Sequence, residues 1–206
     1  MLFRSAEGEG ATGAYASHAE GAATANGDWS HAEGWSTAQG DYSHAEGGGT
    51  YASASGSHAE GVSTYAYGEY SHTEGYFTTT YADYSHAAGI YTIASGSGQN
   101  VVGKFNVDNN DFSLFVIGDG TSEGSRSDIL RVNSGSSPGL GRVEVTGSFA
   151  TTGGVSTTGG VSISNVGMQI VSGSLTLPFK STTNTYIRSE EHTFELQSRQ
   201  YLVCRL

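Results

Sequence analysis

The chain has 206 residues, of which 31 are glycine and only 14% are charged, and its formal net charge is -11. Eleven carboxylates against one base, Arg4, crowd the first hundred positions, so nucleic acid is a poor partner there. No apolar run approaches about 18 residues, so no membrane insertion is expected, and the single cysteine, Cys204, excludes an internal disulfide.

Long aliphatic residues are scarce before Val101. A core of Ala, Ser, Thr and Gly buries little apolar area per residue, so such a chain needs regular stacking or partner chains. Met1-Leu2-Phe3-Arg4-Ser5 leads straight into repeat sequence without the apolar stretch of a signal peptide. Ala6-Glu7-Gly8 lies 13 residues before Ala19-Glu20-Gly21, so the chain is read as beginning inside an array.

That array is the strongest signal in the sequence. Ser-His-Ala-Glu-Gly occurs at Ser17–Gly21, Ser30–Gly34, Ser43–Gly47 and Ser57–Gly61, then varies at Ser71–Gly75 and Ser85–Gly89. Its histidines are His18, His31, His44, His58, His72 and His86, spaced 13, 13, 14, 14 and 14 apart. Glu20, Glu33, Glu46, Glu60 and Glu74 follow two residues later, with Ala88 in the last copy. Six residues after each histidine comes Thr24, Thr37, Thr50, Thr64, Thr78 or Thr92.

Gly in every copy opposes helix by about 1 kcal/mol each. Two short strands and two turns fit the period, and stacked coils about 4.8 Å apart turn each position into a column; six copies make a rod of about 29 Å. In Tyr42-Ser43-His44-Ala45-Glu46-Gly47, parity puts Ser, Ala and Gly on one face and Tyr, His and Glu on the other. The small set is expected inside, and the large set towards solvent or a neighbouring subunit.

The histidine and glutamate columns are read as structural, with no metal and no cofactor expected. A metal site needs a few convergent ligands rather than an even ladder. Carboxylates beside the histidines predict imidazole pKa values above about 6.5 and greater stability near pH 6 than pH 8. Adjacent strand residues face opposite ways, so Ser43 cannot pair with His44 as a nucleophile, and no special carboxylate pair stands out. No catalytic residue is expected. Trp29, Tyr42, Tyr70 and Tyr84 precede a repeat histidine by two, and Trp35 lies at a variable position. These five are candidates for surface or subunit contact.

The repeats of residues 5–98 resemble the left-handed parallel β-roll heads of trimeric autotransporter adhesins. They are still more similar to the Ser-His-Ala-Glu-Gly repeats of bacteriophage tail-fibre and structural proteins. The resemblance implies an all-β fold and a homotrimer of rolls sharing a core.

After Gln99 the texture changes, and Val101–Val107, Phe112–Ile117, Ile129–Val132 and Arg142–Val145 read as short strands of a β connector over 99–145. The stretch Ser113 to Thr121 with Arg126-Ser127-Asp128 resembles a segment that follows such repeats in phage tail proteins. Gly118-Asp119-Gly120 within it is read as a plain turn rather than an ion site. Tandem Thr-Thr-Gly-Gly-Val-Ser at Thr151–Ser156 and Thr157–Ser162 resembles viral fibre shafts, so 146–187 is read as a shaft-like β segment. Residues 188–206 resemble a translated adaptor-like tail and are read as non-native or disordered.

The expectation is therefore a phage tail-fibre or receptor-binding fragment in the virion tail. It would contact itself as a homotrimer and a host surface glycan or protein. The alternatives are the head of a bacterial surface adhesin and, in another class, a glycan depolymerase or self-cleaving tail protein.

Overall fold

Thirteen or fourteen residues make two short strands and two corners, and small side chains let those strands lie almost back to back. The computed structural model describes residues 5–108, 113–134 and 141–150. The chain divides after Thr152, and every described residue belongs to the first unit. The hexapeptides, most of the shaft-like segment and the 188–206 tail lie outside the described residues.

Among the described residues there are sixteen strands and no helix. The first eight are β1 (Ser5–Gly8), β2 (Ala11–Thr12), β3 (His18–Gly21), β4 (Thr24–Ala25), β5 (His31–Ala38), β6 (His44–Ala52), β7 (His58–Val62) and β8 (Tyr65–Ala66). Then come β9 (His72–Tyr76), β10 (Thr79–Thr80), β11 (His86–Ile90), β12 (Ile93–Ala94), β13 (Asn100–Lys104), β14 (Ser113–Asp119), β15 (Asp128–Asn133) and β16 (Arg142–Val145). β1, β3, β5, β6, β7, β9, β11, β13 and β14 stack in that order as one parallel face. β2, β4, the ends of β5 and β6, then β8, β10 and β12 form a second parallel face. This is a parallel β-solenoid. Its eight steps along the first face span about 38 Å.

Register keeps like residues together. His18, His31, His44, His58, His72 and His86 pair in sequence, and Asn100 takes the next position. Each coil turns four small side chains inward; in one coil these are Ser57, Ala59, Thr64 and Ala66, all buried. The serine has a specific task. Its Oγ donates to the carbonyl three residues earlier, at 2.6–2.7 Å from Ser30, Ser43, Ser57, Ser71 and Ser85, so the buried hydroxyl closes the preceding turn.

Three expectations need correcting. The glycine ending each pentapeptide is not interior: from Gly21 to Gly89 it forms a corner at φ between 82° and 118°. The six threonines do not form one column. Thr24 pairs with Thr37 on the outer side, whereas Ser36 pairs with Thr50, and Thr50, Thr64, Thr78 and Thr92 are buried. The reason is the extra residue of the longer coils, which enters at Gly49 as a register shift between Trp35 and Ser36. Counting six from histidine crosses that insertion and changes face. Lastly, the sheet does not break after residue 98. Val101 stacks on Ala87 and Val116 on Val101, so β13 and β14 add two more rungs before β15 and β16 pair antiparallel.

The second face ends at β12, and side chains replace the missing coil there. Thr79 N–H donates to the Thr92 carbonyl, but Ile93 N–H donates to Asn106 Oδ1 at 2.8 Å. Asn106 Nδ2 returns a bond to the Ile93 carbonyl at 2.9 Å, and Gln99 Oε1 accepts from Ser95 N–H at 2.9 Å. Terminal repeats of a solenoid need such caps. Asn106→Ala leaves both Ile93 groups without their partner, which costs about 2 kcal/mol. The expected outcome is a melting temperature about 5 °C lower; an unchanged melt would show that water caps this end instead.

Candidate functional site

Two features of the outer surface carry chemistry: the imidazole stack and the aromatic columns. Parallel pairing sets neighbouring coils one strand spacing apart, which is also the thickness suited to stacked rings. From His31 to His86 the imidazole centroids lie 4.6–4.9 Å apart with interplanar angles of 4–15°; His18 meets His31 edge-on. Glutamates flank the stack. Nε2 lies 3.9 Å from Glu20 in His18, 3.6 Å from Glu46 in His44 and 3.8 Å from Glu60 in His58, each within one coil. His86, whose own coil carries Ala88, sits 3.6 Å from Glu74 of the coil before.

The carboxylates do not dominate the imidazoles, contrary to expectation. Burial, and then the like charge of stacked neighbours, pushes His31, His58 and His72 below the usual histidine range, against the opposing pull of Glu33, Glu60 and Glu74. The Nε2 atoms of His31, His44, His58, His72 and His86 are shielded from solvent and make no hydrogen bond among the described residues. The His31, His58 and His72 rings stay neutral more readily than a free histidine does.

His58, Glu60 and His72 place one ligand atom each within 4.8 Å of one another. They are the one such group among the described residues, and its two rings lie 5° from parallel. At the far end, Asp119 accepts the Ser127 hydroxyl at 2.5 Å and closes the loop after Gly118.

Trp29, Tyr42, Tyr70 and Tyr84 are all at least half exposed. They do not alternate along the strand with His and Glu. Each stands in the turn before it, at φ 53–58°. That left-handed conformation points the N–H back to the preceding coil: Tyr42 donates to Asp28 and Tyr84 to Glu69. A non-glycine residue there costs on the order of 1 kcal/mol, and ring stacking of about 0.5–1.5 kcal/mol offsets it. Trp29 stacks on Tyr42 at 5.1 Å and Tyr70 on Tyr84 at 5.6 Å. A second left-handed column, Gly49, Ser63, Phe77, Tyr91 and Phe105, exists only in the longer coils. Its last three rings stack at 4.8 and 4.9 Å. No propensity rule assigns aromatics to left-handed corners, and only the spacing before histidine hinted at the first column.

A groove of about 450 Å³ opens where the coil length changes, between Trp35, Thr37, Gly49, Tyr51, Tyr65 and Tyr67. Trp35, one of the five sequence candidates, is 72% exposed at its edge. Tyr65 and Tyr67 stand nearly parallel at 6.0 Å, and Tyr67 continues onto Tyr81 at 5.6 Å. No protein-family model matches this chain, and neither does any curated protein.

Proposed function

We propose that the chain is the head segment of a fibrous attachment protein, a homotrimer of left-handed rolls of the phage tail-fibre kind that contacts a host surface glycan or protein. The observation that carries it is the outside of the roll. Trp29 with Tyr42 and Tyr70 with Tyr84 stand as stacked pairs, each ring at least half exposed, on a narrow rod that is otherwise rich in carboxylates. Rigid aromatic arrays lose little side-chain freedom on contact and suit both sugar rings and protein surfaces. Trimerisation is supported by the edge column Val62, Tyr76 and Ile90, all exposed on the single chain. Exposed apolar stripes of this kind mark protein contact.

The full chain is expected to sediment at three times its 21.4 kDa mass and to be retained on cells of a bacterial panel. A well-folded species of single-chain mass would remove the trimer, and failure to adhere to any strain would remove attachment.

A further inference from the structure

The geometry points to the groove beside Trp35 as a binding site for a neutral saccharide, which deepens the attachment reading and rests on it. Three observations converge there. Aromatic faces and hydroxyls line the groove: Trp35, Tyr51, Tyr65 and Tyr67 with Thr24 and Thr37, and no charged side chain is among the lining residues. Flat rings pack against the apolar face of a pyranose, and neutral hydroxyls meet its hydroxyls without selecting an anion. The volume of about 450 Å³ lies within the range of small-ligand sites.

The second observation is what keeps the groove open. Gly48 pairs with Trp35 on one side and Val62 on the other. In the next three coils the same corner is filled by Val62 with Ser63, Tyr76 with Phe77, and Ile90 with Tyr91. Gly48 is not required by the fold: its φ is not left-handed, and an added Cβ would meet only Val62 Cγ2 at 3.9 Å. Gly49 does take φ 72°, yet Ser63, Phe77 and Tyr91 hold the matching corner with side chains. Two side chains are thus missing at this corner: Gly49 lies in the groove wall, and Gly48 pairs with Trp35, which also lines it.

The third is electrostatic. Burial, and then the neighbouring Tyr81, Tyr65 and Tyr51, hold the Tyr67 phenol above its ordinary range. Tyr67 therefore keeps its proton to higher pH than a free phenol does.

The test uses the full chain on an array of neutral oligosaccharides of glucose, mannose, galactose and N-acetylglucosamine, with sialylated and sulfated counterparts. The wild type is expected to retain neutral members. Trp35→Ala should bind about tenfold more weakly, and Val143→Ala, exposed but outside both the groove and the aromatic columns, should bind as the wild type. Gly48→Val, which copies Val62, should abolish binding while the melting temperature holds or rises. Retention of no neutral member, retention of anionic members alone, or full binding by Gly48→Val each overturns the proposal. Whole-cell adherence is scored alongside. If Gly48→Val keeps both adherence and oligosaccharide binding, the groove is wrong and attachment stands; a wild type that adheres to no cell fails the attachment reading itself.

Discussion

Gly47→Ala is expected to melt about 10 °C below the wild type, while Gly48→Ala, one residue on, melts within about 2 °C of it. Gly47 holds φ 115°, where L side chains are strained, and an added Cβ would overlap the Gly61 carbonyl oxygen. Backbone cannot yield to it, because Gly61 is in turn held against Gly75 and Gly75 against Gly89. Strain and overlap together cost more than about 3 kcal/mol. Gly48 shares the strand but neither constraint. Thermal melts by circular dichroism read both variants, and equal melting temperatures would show that the corners are not close-packed.

Acid is expected to weaken the roll, with a melting temperature several degrees lower at pH 5 than at pH 7.5. His31, His58 and His72 titrate below the unfolded value of about 6.5. A depressed folded pKa means that the unfolded chain binds more protons in the interval between the two values. The histidine contribution is thus complete above about pH 6.5 and is lost as pH falls through the folded values. The sign is opposite to the one expected from a simple imidazole–carboxylate ladder. The groups facing His58 explain it: desolvation leads, His72 and His44 repel on either side, and Glu60 alone opposes them. The double variant His58→Gln, His72→Gln removes part of the stack and keeps every carboxylate. Its slope between pH 7.5 and 5 should be shallower than the wild type's; an equal slope, or a roll strengthened by acid, would contradict the neutral stack.

How much of this was legible depended on whether a residue type had one local reason or two. Serine and alanine of the pentapeptide could be placed inside by parity alone, because they flank the histidine that opens each strand. Parity failed at the strand ends. Tyr42 lies in a left-handed turn rather than on the strand, and Gly47 turns the corner. The threonines were misaligned because the spacing from histidine is constant at six while the path is not; only the pairing Ser36 with Thr50 reveals Gly49 as the added residue. The change of texture at Gln99 suggested a new domain. Larger Val101 and Val116 in fact continue the alanine column at the end of the roll, where Asn106 and Gln99 close it. Histidine's sign was missed for another reason. Carboxylates are visible in the sequence, whereas the mutual repulsion of stacked rings depends on their 4.6–4.9 Å spacing.

The added residue at Gly49 has an evolutionary consequence. Each coil meets only its neighbours, so unequal recombination between near-identical repeat units can insert or delete a rung without disturbing the others. Copies gained on either side of the 13-to-14 junction would lengthen the rod by about 4.8 Å each, and the junction itself would be inherited intact. Rod length and groove chemistry could then change separately: one through the number of repeats, the other through point changes at the seam where the 13- and 14-residue coils meet.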